Sequence, residues 1–382
     1  MSLGPALLAG LLVLASPPSG RPPVGPLERY EPRVYDFTFD VTLTSLWQYD
    51  LSLQRNYRLV DAPIVMPVIF QGTYSSVQAD SLRARLWLEG REDLNLKKRT
   101  RLDDGFPFQT RLAVIPVEEF GGKSLRWQLG YQVKSWSSRL RSETQAGSIA
   151  WPREWPQEVR DGLQPQMYIE SDDPLFAGAV EKASEGQLRL VPPYFAAKDL
   201  VRYCINEIRL SGNGKNMGNL GTLRGLELVG ARQTANAGIG GPHDLVCVCV
   251  AVLRAAGIPA RPVIGVQEQK SSLGGLKQAG PEFVSWAEFY LPEAGWIPFD
   301  PVAMRGKGIR SLDVRREWPE FGTMDDLNRR IPLAYHFIPP ATVEVPVPAA
   351  WGWDPRPGGD PGSEPQIRFT IISRGRGPRD PQ

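Results

Sequence analysis

From Arg33 to about Ala150 the apolar residues recur at every second position. The runs VYDFTFDVTLTSL, DSLRARLWLEG, FQTRLAVIPV and SLRWQLGYQVKSW all show it, with Gly-, Asp-, Asn- and Pro-containing loops between them. Period two is the signature of a strand with one face buried and one face wet. No helix-length amphipathic segment interrupts the region, so its apolar faces have only each other to pack against. The expected product is a β-sandwich-like domain over 33–150.

The pattern then changes. DPLFAGAVEKASEG opens with Asp172 or Asp173 as an N-cap, and PPYFAAKDLVRYCINEIRL has apolar residues at helical spacing. A Gly/Asn-rich loop, SGNGKNMGNLGTLRG, precedes a helix expected from Pro242 to Ala256, and the strands RPVIGVQEQ, EFVSWAEFYLP and GWIPFDP follow. One central helix on later antiparallel strands makes the whole chain α+β. The expected organisation is a leader at 1–20, a proline-rich linker at 21–32, the β domain at 33–150, a helix-and-sheet domain at 151–305, and an extension at 306–382. That extension carries edge strands, in ATVEVPVPAAWGWDP and PQIRFTIIS, across the low-complexity joint RPGGDPGSEP.

Composition removes several function classes. The formal net charge is +2 and the basic residues are scattered, which gives nucleic acid no basic face to bind. The run from Leu3 to Ala15 suits a secretory h-region and is too short to span a bilayer, although its n-region lacks Lys and Arg. The expectation is export to a periplasmic, cell-envelope or extracellular location, and not an integral membrane protein. Three cysteines, 204, 247 and 249, do not make a disulfide framework. Cys247 and Cys249 point about 200° apart on one helix, so both are expected in the core. Two histidines and scattered acids offer no metal-ligand spacing, and no cofactor is expected.

Three ordered segments carry a resemblance. GARQTANAGIGGPHD (230–244), AVLRAAGIPARPVIGV (251–266) and VSWAEFYLPEAGWIPFDP (284–301) together resemble the core of the transglutaminase-like superfamily, thiol enzymes of papain-like fold. The resemblance implies a Cys-His-Asp triad: a cysteine made acidic by a helix N-terminus, a strand histidine as base, and an aspartate orienting it. Carried over by position, the cysteine falls on Pro242, the histidine on Val284 and the aspartate on Asp300. Proline keeps the helix start and supplies no nucleophile; valine can neither give nor take a proton.

The neighbouring groups have bland readings beside the functional ones. His243, in the first helical turn, reads as a solvated or locally hydrogen-bonded ring, and Asp244 as a helix-start charge. Ser285 adjoins the vacated histidine position but faces the other side of its strand, so it is not a simple replacement. Asp300 reads as the cap of the turn that its own Asp-Pro begins. Trp286 and Trp296 read as core or cleft wall, and His336 as a loop or edge-strand residue. His243, Asp244, Trp286, Glu288 and Asp300 are the candidate groove residues. The leading expectation is a catalytically inactive member that binds or scaffolds a polypeptide or envelope component. The alternative is an active thiol hydrolase or acyltransferase using Cys247 or Cys249.

Overall fold

The computed structural model describes residues 25–45, 57–59, 63–96, 100–104, 106–117, 120–122, 124–218, 221–268, 282–337, 349–353 and 363–376. The leader and most of the low-complexity joint lie outside these. Among the described residues, no helix is long and apolar enough to cross a membrane.

Two antiparallel sheets form the body of the β domain, beside a two-stranded ladder of Tyr57–Leu59 with Phe120–Gly122. One is ordered β13-β1-β7-β3-β4, built from β1 (Leu27–Ser45), β3 (Ser75–Leu88), β4 (Arg91–Glu92), β7 (Ser124–Leu140) and β13 (Ser363–Arg376). The other is ordered β12-β2-β6-β5, from β2 (Ile64–Val68), β5 (Arg101–Asp103), β6 (Arg111–Ile115) and β12 (Gly352–Trp353). The alternation works as expected: Tyr35, Phe37, Phe39 and Val41 of β1 are buried together with Trp127 and Leu129 of β7 and with Ile64 and Met66 of β2. Trp127 meets Trp351, the residue before β12, edge-on, with ring centroids 4.7 Å apart.

Two boundaries differ from the sequence reading. β1 begins at Leu27, inside the stretch expected to be linker, because a bulge between Tyr30 and Arg33 absorbs the break in alternation at Glu31-Pro32. The extension, in turn, supplies the edge strand of each sheet, so the sandwich is assembled from both ends of the described chain.

The second half is a helical layer on a sheet ordered β10-β9-β8-β11, from β8 (Ala260–Gln267), β9 (Glu282–Leu291), β10 (Gly295–Phe299) and β11 (Arg330–Ala334). The helices are α1 (Glu143–Gly147), α2 (Pro174–Ser184), α3 (Pro193–Glu207), α4 (Ala231–Ala237), α5 (Pro242–Ala255) and α6 (Pro301–Arg305). Asp173 is the N-cap of α2, its Oδ1 accepting from the Leu175 N–H at 3.0 Å. The Gly/Asn-rich loop contains a short ladder, Lys215–Met217 against Leu223–Leu226.

α5 is the centre of this layer. Every residue from His243 to Arg254 is buried, because α2, α3 and α4 pack on one side and β8 and β9 on the other. Its C-terminal end explains the phrase AAGIP. Gly257 takes φ +76°, its N–H bonds Arg254 O at 2.9 Å, and Ile258 N–H bonds Leu253 O at 2.9 Å. That paired closure needs a left-handed residue, and glycine adopts it without Cβ strain.

Candidate functional site

Pro242 is the first residue of α5, and Gly241 precedes it as the cap. A first-turn N–H has no intrahelical partner, so proline costs nothing here. Asp244 turns back on the chain. Its Oδ2 accepts from Gly241 N at 2.9 Å, and its Oδ1 accepts from Val229 N at 2.8 Å and Gly230 N at 2.9 Å. With three backbone donors and 3 % exposure, this carboxylate ties the start of α5 to the loop before α4.

His243 is buried rather than solvated, with 2 % exposure. Its partner is not local: Nδ1 lies 2.8 Å from Ser285 Oγ, on β9. The backbone of Gly214 is a second partner of the ring, and the tautomer sets which group donates at the Ser285 contact. Burial pushes the imidazole pKa down to about 4, against the raising effect of the Gly214 carbonyl, so the ring is neutral at pH 7. Gly214 has to be glycine: it sits at φ +72°, and a Cβ there would come within 2.7 Å of the ring and 2.9 Å of Pro242.

The strand facing the helix presents residues of the opposite parity to the one carried over. Phe283, Ala287 and Phe289 join the core around α5, and Ser285 reaches His243. Val284 instead packs with Trp286 and Trp296 in a second cluster containing Val263, Tyr74 and Tyr335, on the sheet face turned toward the β domain. Alternation placed Ser285 opposite Val284, as expected. The element each face looks at was not readable from period two alone.

The remaining candidates are committed to partners. Asp300 caps α6, its Oδ1 accepting from Val302 N at 3.0 Å and Ala303 N at 2.9 Å. Its Oδ2 receives Arg330 Nη1 at 2.7 Å, so a buried guanidinium balances its charge. Glu288 holds Arg261, whose Nε and Nη2 reach Oε2 at 2.8 and 2.6 Å. The Arg261 guanidinium carbon lies 4.0 Å from the Trp296 ring centroid and 3.7 Å from that of Tyr335. Trp286, 2 % exposed, is core, with the Arg330 guanidinium carbon 5.7 Å from its ring.

Cys247 and Cys249 are fully buried, and so is Cys204 at 1 % exposure. Burial first, then the Asp244 charge, pushes the Cys247 thiol well up; burial and the neighbouring Cys204 do the same for Cys249. Neither is a thiolate at neutral pH. His336 lies in the bend that follows the edge strand β11. It is half-buried against Phe106 and Phe108, with ring centroids 6.2 and 5.7 Å away, and its inaccessible Nε2 has no partner among the described residues.

Sequence reasoning missed Ser285 as a partner of His243, and Arg261 and Arg330 as counter-ions. The signal for the arginines was weak but present: Glu288 sits in an apolar strand and Asp300 directly after one, where a charge needs a buried partner. The chemistry available at the start of α5 is therefore a neutral imidazole bonded to a hydroxyl, without a thiolate.

Residues 184–301 match the family model described as the transglutaminase-like superfamily. Among solved structures, the chain is similar to a candidate cysteine protease from Cytophaga hutchinsonii. The identity is 12 %, the TM-score 0.53, and the match covers 93 % of this chain and 94 % of that one. At that identity the likeness is one of fold. A match to the periplasmic domain of TgpA from Pseudomonas aeruginosa has 16 % identity and a TM-score of 0.31, covering 73 % of this chain and 91 % of that one. No curated protein matches.

Proposed function

We propose that this chain, which carries a transglutaminase-like domain over residues 184–301, is an exported binding or scaffold protein in which that domain no longer catalyses thiol chemistry. The observation that carries the reading is Pro242 at the start of α5, where the family resemblance calls for the nucleophile. The side chains around it support the reading. Asp244 is spent on backbone N–H groups, Asp300 on Arg330 and a helix cap, and no thiol lies near the helix tip. A catalytic cysteine needs a low pKa and access, and Cys247 and Cys249 have neither. The partner is a polypeptide or envelope component, and export rests on the apolar leader Leu3 to Ala15.

The test is the rate of iodoacetamide labelling of the native protein against pH. All three thiols should label slowly and only as fast as the protein opens. Rapid native labelling with a midpoint below that of a free thiol would restore the thiol-enzyme reading.

One observation favours a second reading, the 2.8 Å contact between Ser285 Oγ and His243 Nδ1. In it the serine is the nucleophile of an acyl transfer, and its proton passes to the imidazole. The two groups are 7 % and 2 % exposed, which favours a polar plug over a reacting pair. A fluorophosphonate probe separates the two: covalent mass added at Ser285 in the folded protein would establish the serine enzyme, and none would leave the plug.

A further inference from the structure

A cleft of about 500 Å³ opens on the sheet face away from α5, between the sandwich and the helical half of the molecule. That volume is ordinary for a small-molecule site. Tyr74, Phe108, Tyr290 and Trp296 supply its aromatic wall. Tyr290 and Trp296 are only half-buried, with ring centroids 5.5 Å apart at 69°, and Phe108 meets Trp296 edge-on at 5.9 Å. The polar side chains reaching the same space include the two exposed amides Gln71 and Gln109, and the exposed carboxylate Glu158.

Three features narrow the ligand. The first is charge. The lining carries two carboxylates, Glu28 and Glu158, and two guanidiniums, Arg29 and Arg261. Glu28 is already paired with Arg141 at 3.0 Å and Arg261 with Glu288, so the cleft has no net field for an ion. The second is the strand edge. The Tyr74 hydroxyl donates to Trp296 O at 3.1 Å, which closes the part of β10 that a peptide would extend by strand addition. The third is backbone strain. Phe108 and Gln109 both hold φ +57°, a conformation unfavourable to side-chain-bearing residues, and consecutive strained residues on a cleft wall point to use.

We infer that this cleft binds a short neutral oligosaccharide, whose C–H faces pack on Tyr290 and Trp296 and whose hydroxyls bond to Gln71, Gln109 and Glu158. Uncharged rings with one apolar face and a polar rim match an aromatic wall edged by amides. The site is independent of the start of α5, so it stands or falls apart from the function proposed above.

The experiment is calorimetric titration of the full chain with maltotriose, cellotriose and triacetylchitotriose, with trigalacturonate and tetra-alanine as the anionic and peptidic comparisons. At least one neutral trisaccharide should bind with Kd below about 1 mM. Gln109→Gly relieves the positive φ, so its melting temperature should rise while affinity falls about tenfold. Trp296→Leu should weaken binding by at least as much. The assignment is overturned if no neutral trisaccharide binds, if trigalacturonate or tetra-alanine binds more tightly, or if Gln109→Gly binds as well as the parent.

Discussion

His243 is buried and His336 half-buried, and desolvation holds the pKa of each near 4 in the folded chain, against 6.5 when exposed. The unfolded chain takes up their protons first as pH falls. Their contribution is therefore complete above pH 6.5 and is lost as pH drops through 4. At pH 5 each should cost about 2 kcal/mol. Glu320 acts in the opposite sense. Burial raises its pKa to about 7, so its contribution is present below 4.5 and lost as pH rises through 7. His336→Leu removes an imidazole with an unpartnered Nε2 from an aromatic pocket. Urea midpoints should show it at least as stable as the parent at pH 7.5, and about 2 kcal/mol more stable at pH 5. A constant difference between the two pH values would mean that His336 is not held as a neutral base in the folded chain. The triad positions give a second expectation. Because Val284 faces the β domain and Ser285 faces α5, Pro242→Cys with Val284→His should alkylate no faster at pH 6 than Pro242→Cys alone. Carry-over by sequence position alone predicts acceleration, so a faster double variant would return the face assignment to that reading.

Among the elements, α5 depends most on a single side chain. Asp244 is the acceptor for Gly241, Val229 and Gly230, and alanine would leave these donors without it at a buried helix start. Asp244→Ala should lower stability by about 3 kcal/mol in denaturant unfolding, and Asp244→Asn by less, since an amide oxygen still accepts. Equal losses would show that charge matters more than bond count. Much of this element was legible. The proline start, the first-turn acid and the glycine stop are local signals, and the helix ends one residue from where they put it. The same holds for the alternating strands and for the cap formed by Asp300. The burial of His243 was not legible, because its cause is distant: Gly214 closes on the ring and Ser285 approaches from a strand 42 residues later. Pairing of Glu288 with Arg261 and of Asp300 with Arg330 is likewise set by sheet order, which spacing along the chain does not encode.

For the molecule as a whole, the decisive feature is the return of β13 to β1, paired from Arg33 opposite Arg376 to Ser45 opposite Ser363 with one register shift between Val34 and Tyr35. Phe369 of β13 packs on Phe39 with ring centroids 5.2 Å apart at 45° and meets Phe283 of β9 edge-on at 4.7 Å, so this strand joins the sandwich to the helix-bearing half. A chain ending at residue 362 should lose that joint and bare the edge of β1 from Arg33 to Ser45. Thermal melting and light scattering should show a lower Tm together with concentration-dependent association. An unchanged, monomeric melt would make β13 dispensable. The extension was expected to hold edge strands, but its destination was out of reach, since an edge accepts any strand of compatible face. The same pairing also has a cost in time. Phe39 and its partner Phe369 are 330 positions apart (369 − 39). At a synthesis rate of about 5–20 residues per second, β1 waits on the order of tens of seconds for its outer neighbour to be made. Throughout that interval one side of the longest strand is an open template, so the first sheet to begin folding is among the last to be finished.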